Sequence, residues 1–221
     1  MPRSSKRNTR PSKRNTRPSK INTRPSKRHS RSSKRHSRSP KKIIKSNVKS
    51  KLINFKGFPE FQPNLTPKQV LQLGSFGGTY FRDIHSTVTN KHYKGKTVIK
   101  EFPKNWFNGL DIDTMITSQK YDKKINKYGV KCGSSLEAWE GSGWIDKQDP
   151  YGWFQWYCRF YKGRRTDDDK RQIDRWLKLT GPKGRFKNRL LNMIKKKGSG
   201  KNDFTISPVI RQVLQHWAYK I

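Results

Sequence analysis

The sequence predicts a mainly α fold, in which a disordered basic arm precedes a compact helical domain with a C-terminal three-helix unit. Two observations predict it. Residues 1–59 hold 21 of the 52 Lys and Arg residues and none of the 15 acidic ones. Beyond residue 60, apolar side chains recur at helical spacing and all seven tryptophans lie after residue 100. We therefore expect an arm at 1–42, a linker at 43–59 and an aromatic-rich, mainly helical domain at 60–221.

The arm is a repeat. Residues 5–39 contain five copies of a seven-residue unit: SKRNTRP twice, SKINTRP once and SKRHSRS twice. No position of the unit carries a recurring apolar residue and three copies end in proline, so the period of seven does not predict a coiled coil. Because so little can be buried, the ordering entropy is not offset and we expect disorder. The arm ends in SPKK at residues 39–42, which resembles an element of histone tails.

A charge of one sign predicts binding to polyanions. Cations attract phosphate backbones and release their counterions, which gives sequence-independent, salt-sensitive binding. We expect nucleic acid as the partner, DNA more than RNA; a nuclear-targeting or solubilising tail and an anionic membrane surface are the alternatives. The candidate phosphate-binding residues of the arm are fourteen of its lysines and arginines: Lys6, Arg7, Arg10, Lys13, Arg14, Arg17, Lys27, Arg28, Arg31, Lys34, Arg35, Arg38, Lys41 and Lys42.

Other features limit the class of protein. No stretch approaches the roughly 18 apolar residues that a membrane span needs, and the N-terminus lacks the apolar region of a secretory signal. We therefore expect an intracellular protein of the nucleus, a virion or a viral factory. Cys132 and Cys158 are too few and too far apart for a disulfide framework or a zinc knuckle, and no histidine pair has metal-ligand spacing. We expect reduced thiols, no metal and no cofactor.

The first predicted helix has clear end signals. Thr66 is the N-cap, Pro67 takes the first helical position and Gly74 stops the helix. The GSFGG segment at 74–78 lacks the Lys-Ser/Thr of a phosphate-binding loop, which favours a structural turn. The following stretch, 85–133, carries weaker signals. We expect short strands around residues 97–100 and a loop through 101–103.

Two helices are predicted in the middle of the domain. The first begins at Ser135 and ends before the glycines at 141–143. The second begins with Asp149 as N-cap and Pro150 as its first residue, and continues to about Lys162. Its seven aromatic residues lie on most faces, which is typical of a buried helix and favours core packing over base stacking.

Three helices are predicted in the C-terminal third. Thr166 and Asp169 make a start similar to a capping box for a helix that ends near Leu179, and Ser207-Pro208 begins the last one. Between them lies a helix with a basic face. The first two helices and their glycine-containing turn resemble a helix-turn-helix in outline, so we expect Arg185, Lys187 and Arg189 to contact nucleic acid; an ordinary solvated face is the alternative.

Four strings carry a family resemblance: TPKQVLQLGSFGGTYFRDI at 66–84, EFPKNWF at 101–107, GWIDKQDPYGWFQWYCRFYKGRRTDDDKRQIDRW at 143–176 and RQVLQHWAYKI at 211–221. They resemble a family of uncharacterised proteins of bacteria, fungi, algae and large DNA viruses. The resemblance implies where the domain begins and implies no activity. The Lys-, Asn- and Ile-rich linker would suit an A·T-rich genome such as that of a giant virus.

Three functional hypotheses follow. The first is a nucleic-acid-binding protein of giant-virus virions or chromatin, which binds mainly through nonspecific electrostatics of the arm and has protein partners for its helical domain. The second is an enzyme of unknown reaction class that the arm delivers to nucleic acid. Its candidate pocket residues are the polar groups expected near the aromatic helix: Asp83, His85, Arg164, Arg165, Asp168 and His216. The third is a scaffold that condenses the genome and oligomerises through its domain.

Overall fold

The computed structural model describes residues 51–221, so the predictions for the repeats and for SPKK lie outside the described residues. Eight helices and one two-stranded sheet form this part of the chain. Their bounds are α1 Pro67–Gln72, β1 Ile84–Ser86, β2 Lys91–Tyr93, α2 Gly95–Val98, α3 Ile112–Met115, α4 Leu136–Gly141, α5 Trp153–Tyr161, α6 Asp169–Thr180, α7 Arg185–Lys197 and α8 Pro208–His216. Short 3-10 turns connect several of them. None of these helices is long and apolar enough to cross a membrane.

The core is built around α5. Trp156, Tyr157 and Phe160 have no exposed surface, because aromatic rings from before α1 and from α6 enclose them. Phe61, for example, packs edge-on against Phe160 with ring centroids 5.5 Å apart. Full burial of each such side chain contributes about 1.5–3 kcal/mol. The prediction that α5 is a core helix is confirmed.

The predicted start of α5 is wrong. The helix begins at Trp153, and its N-cap is Gly152 at a φ of 85°. Asp149 does not cap it, because the Asp149 carboxylate accepts hydrogen bonds from Arg159 and Arg164 instead. The preceding helix, α4, begins as predicted with Ser135, whose Oγ accepts a hydrogen bond from the Ala138 backbone N–H.

The predicted strand at 97–100 is also wrong. Residues 95–98 form α2 and residues 99–101 a 3-10 turn. The strands lie earlier in the chain, in an antiparallel hairpin that pairs His85 with His92. Thr97, Val98 and Ile99 have β-forming side chains, but Asp83 Oδ1 accepts a hydrogen bond from the Gly95 backbone N–H at 2.9 Å and fixes a helical turn there. Tertiary context thus overrides local propensity.

The C-terminal third is a helical pair beside α6. Helices α7 and α8 share a small core of their own, which contains Leu190, Ile194 and Leu214. The buried face of α6, with Ile173 and Trp176, belongs to the main core around α5 instead. The predicted three-helix unit is therefore corrected to a pair, because Trp176 of α6 packs into the aromatic core around α5 and not between α7 and α8. Asp169 Oδ2 accepts from the Thr166 backbone N–H at 3.0 Å, but the predicted cap is wrong. Helix α6 begins at Asp169 and its N-cap is Asp168, which makes no capping hydrogen bond because its carboxylate binds Arg171.

The start of α1 and the turn that follows it are confirmed. Thr66 and Gln69 form a reciprocal capping box. Gly74 has a φ of 83°, and a Cβ atom there would lie 2.0 Å from the Ile125 carbonyl oxygen. Only glycine allows both the left-handed backbone and this close approach.

Replacing Gly74 with alanine is expected to lower the free energy of unfolding by about 2–5 kcal/mol, since overpacking adds about 1–3 kcal/mol to a backbone cost of about 1–2 kcal/mol. The matched control is Gly57→Ala. Gly57 has a nearly identical φ of 84° and no atom within 4 Å of its added Cβ, so it reports the backbone cost alone. Urea unfolding of both variants measures the difference. Equal losses would show that the contact with Ile125 costs nothing.

Candidate nucleic-acid interface

Helix α7 presents a continuous polar strip to solvent. Its members are spaced at i, i+4, i+7 and i+11, opposite the buried Leu190 and Ile194. All of them are exposed: Arg185, Arg189, Asn192 and Lys196. We call these four residues the outer strip. At 1.5 Å per residue the strip is about 16 Å long.

Most of the positive charges of α7 have no acidic partner within ion-pair distance in the described part of the chain. The helix holds six cations and no acidic residue. Lys197 forms an ion pair with Asp203 at 3.2 Å, and within residues 51–221 no other cation of α7 lies in an ion pair. Hydrogen bonds from Thr205, Ser199 and Lys197 lower the pKa of the Asp203 carboxyl, so this acid stays ionised. The outer strip therefore keeps its full positive charge.

The position of Arg185 argues against a purely structural role. The lysines at 195–197 lie in the last turn, where cations stabilise a helix by interacting with its dipole. Arg185 lies in the first turn, where a cation is unfavourable, and no acidic side chain compensates there. Its guanidinium packs over the ring of Phe186, 5.0 Å from the centroid, and remains exposed.

Lys187 lies on the other side of α7. It is half-buried, and its Nζ lies 5.1 Å from the ring centroid of Tyr219. The three cations predicted to act together are thus divided, with Arg185 and Arg189 on the outer strip and Lys187 beside the C-terminal segment. The 100° rotation per helical residue could have separated them from sequence alone.

The turn before α7 is tight. Gly184 donates its backbone N–H to the Gly181 carbonyl at 2.9 Å, and Asn188 donates to the Pro182 carbonyl at 3.1 Å. Helices α6 and α7 therefore follow each other with four intervening residues, in agreement with the predicted glycine-containing turn. The turn places the outer strip clear of α6.

Three of the candidate pocket residues make separate surface contacts. Asp83 pairs with Lys94 at 2.8 Å, and this bond and the one from Gly95 lower the pKa of its carboxyl. His85 is exposed on β1, with its ring 4.5 Å from that of His92. The carboxylate of Asp168 accepts hydrogen bonds from the Arg171 guanidinium, three residues later on α6.

Arg164 and Arg165 are the only two of the six candidates that contact each other in the described part of the chain, where Arg165 donates to the Arg164 carbonyl at 2.7 Å. Arg165 also lies over the ring of Phe160, 3.8 Å from its centroid. Arg164 binds Asp149, which has no exposed surface. Burial raises the pKa of the Asp149 carboxyl, and the guanidiniums of Arg164 and Arg159 oppose that shift.

A cleft of about 250 Å³, with both polar and apolar lining, adjoins this ion cluster. Arg159 links the two acids of the cluster, Glu101 and Asp149. It donates to both carboxylate oxygens of Glu101 and also to Asp149 at 2.9 Å. Sequence reasoning missed Glu101 and Arg159. Each stands alone in the sequence, and no spacing pattern joins residues 58 positions apart. The charged groups of Glu101 and Arg159 all have hydrogen-bond partners, which is typical of a structural network, whereas the buried Nε of Arg164 has none in the described part of the chain.

His216 and Cys132 form a neutral pair. The Cys132 sulfur lies 3.5 Å from His216 Nδ1, while His216 Nε2 accepts a hydrogen bond from the Phe76 backbone N–H at 2.9 Å. The proton of the neutral ring is therefore on Nδ1 and faces the sulfur, so His216 cannot take a proton from the thiol in this arrangement. Burial raises the pKa of Cys132 to about 12 and lowers that of His216 to about 3. This geometry does not favour a thiol nucleophile.

Comparison with known proteins adds no relative, since no family model, curated protein or solved structure matches this chain.

Proposed function

We propose that this protein binds nucleic acid, with the outer strip of α7 as the phosphate-contacting surface of the folded part and the basic arm as a nonspecific anchor. The observation that carries the proposal is the set of unpaired cations on one exposed helix face, including an arginine at the unfavourable end of the helix. Phosphate is the ligand that such a face suits, because it supplies the missing negative charge along a line of cations.

Duplex DNA suits the strip better than duplex RNA. An α-helix with its side chains is about 10–12 Å across and fits the major groove of B-DNA, which is about 12 Å wide. The major groove of A-form RNA is deep and narrow, and side chains cannot enter it. A protein that binds DNA mainly through charge would serve in genome packaging, and we propose the nucleus or a virion as its location.

Replacing Arg185, Arg189 and Lys196 with glutamine in the full chain is expected to weaken duplex DNA binding and to lower the slope of log affinity against log salt by about 2.7, because each lost phosphate contact removes about 0.9. A salt series by fluorescence anisotropy measures the slope.

The matched control removes three exposed lysines from another surface, Lys104, Lys123 and Lys124, which take part in none of the described ion pairs. Both variants lose the same net charge. If the control lowers the slope as much as the strip variant does, only the overall charge matters and the strip is not an interface.

A further inference from the structure

A second cationic surface lies on the opposite side of α7. It is a cleft of about 230 Å³ between residue 52, the inner flank of α7 and the C-terminal segment. Lysines from three separate parts of the chain line it: Lys187, Lys201 and Lys220. Leu191 and Tyr219 supply apolar surface beside them. We call this the lysine cleft.

Within residues 51–221, no side-chain carboxylate pairs with the three lysines of the lysine cleft, although the C-terminal residue Ile221 also lines it. In the region from residue 51 onward, no ion pair within 4.0 Å includes Lys187, Lys201 or Lys220. Partial burial and the repulsion from the charge of Lys220 both lower the pKa of Lys127. An anion in the cleft would relieve this repulsion.

The cleft is fixed in position before any ligand binds. Asn64 is buried, and its side chain holds the main chain of Lys220 from both sides, since Nδ2 donates to the Lys220 carbonyl and Oδ1 accepts from its N–H, both at 2.8 Å. Lys187 packs over the ring of Tyr219. The main chain of Lys220 and the side chain of Lys187 are therefore held by contacts that leave both ammonium groups outside ion pairs, which lowers the entropic cost of binding.

The chemistry of the cleft suits a terminal phosphate. Three ammonium groups can donate to the three free oxygens of a phosphomonoester, whereas a carboxylate has only two oxygens. The volume lies below the roughly 300–1,000 Å³ of pockets for larger ligands, so the cleft would enclose the phosphate and only part of the group that it carries. The side chain of Leu191 and the ring of Tyr219, one face of which Lys187 covers, offer apolar surface for a flat, weakly polar group such as a base.

We propose that the lysine cleft binds a phosphomonoester attached to a nucleoside, either a free nucleotide or the phosphorylated end of a nucleic-acid strand. This site does not depend on the outer strip, which faces the other way. A free nucleotide and a phosphorylated strand end present the same phosphate group, and the probes described below distinguish them.

The experiment compares AMP with adenosine as probes of the full chain, by calorimetry and by the amide NMR shifts of Tyr219 and Lys220. One variant changes Lys187, Lys201 and Lys220 to glutamine; its matched control is R185Q/R189Q/K196Q, which loses the same charge on the opposite side of α7. We expect the cleft variant to weaken AMP binding at least about tenfold, since up to three charge-assisted hydrogen bonds are lost, and the control to change it less than about twofold. Adenosine should bind weakly to all three proteins.

Equal loss of AMP affinity in the two variants, or no AMP-dependent shifts at Tyr219 and Lys220, would overturn the proposal. If the triple variant fails to fold, Lys201→Gln replaces it, because Lys201 is exposed and takes part in no described ion pair; AMP affinity unchanged by this substitution would count against the site.

Oligonucleotides with and without a 5′-phosphate then identify the source. A preference for the phosphorylated strand that the cleft variant abolishes supports a strand end, while AMP binding without that preference supports a free nucleotide. Because the strip control is also measured for duplex binding, failure of the lysine cleft and failure of the outer strip are distinguishable.

Discussion

Replacing Asp149 with asparagine is expected to lower the free energy of unfolding by about 3–5 kcal/mol, the usual cost of removing one partner from a buried ion cluster. The side chain of Asp149 has no exposed surface, and those of its partners Arg159 and Arg164 are only 23% and 25% exposed. The neutral amide keeps the shape of the carboxylate but leaves Arg164 without an anionic partner. Arg159 retains Glu101, with which it forms an ion pair at 3.0 Å. Urea unfolding measures the loss.

The control for Asp149 is Asp174→Asn. Asp174 pairs with Lys170 at 2.8 Å, but the two side chains are 45% and 85% exposed, and a solvated helix pair contributes about 0.3–0.5 kcal/mol. A double variant, Asp149→Asn with Arg164→Gln, should recover part of the loss, because it also removes the charge left without a partner. If Asp149→Asn costs no more than Asp174→Asn, the cluster does not stabilise the fold.

Local signals predicted the parts of the fold that local contacts determine. The start of α1 depends on Thr66, Pro67 and Gln69, which are neighbours in the sequence, and the structure confirms it. The aromatic density of α5 likewise predicted its burial, since few arrangements other than a core can cover so many rings. These predictions required no knowledge of distant segments.

The sequence-based predictions failed where a side chain binds a partner that is distant in the sequence instead of a nearby one. Asp149 before Pro150 has the pattern of a helix cap, but its carboxylate binds arginines 10 and 15 residues later. The lysine cleft could not be predicted either, because Lys201 and Lys220 meet Lys187 only after α8 packs against α7. The same holds for His216, whose partner is the Phe76 backbone, 140 residues away.

Acidification below pH 6.5 is expected to destabilise the protein through His216. Burial lowers the pKa of this histidine from the reference value of 6.5 to about 3 in the folded state. Two contacts at Nε2 of His216 also favour the neutral form of the ring. Nε2 accepts from the Phe76 N–H, and the Gln212 amide nitrogen lies 3.1 Å from the same atom. A proton on Nε2 would face these two donors and lose both hydrogen bonds.

The direction of the pH effect follows from which state binds the proton. About one pH unit or more above 6.5, His216 is almost entirely neutral in both the folded and unfolded chains, so its contribution to stability is nearly complete. As the pH falls from 6.5 towards 3, the unfolded chain takes up a proton that the folded chain does not, and the free energy of unfolding drops by about 1.4 kcal/mol per pH unit. Between pH 7.5 and 5 the expected loss is about 2 kcal/mol, and most carboxylates stay ionised over that interval.

Urea unfolding at pH 5, 5.5, 6, 6.5 and 7.5 measures this slope. His216→Gln should flatten it, whatever that substitution does to stability at pH 7.5, because glutamine does not titrate and its side-chain oxygen can still accept from the Phe76 N–H. His85→Gln is the matched control, since His85 is exposed on β1 and not in the core, and this variant should keep the wild-type slope. A slope that persists in His216→Gln would assign the acid sensitivity to another group and would mean that His216 is able to take up a proton in the folded protein.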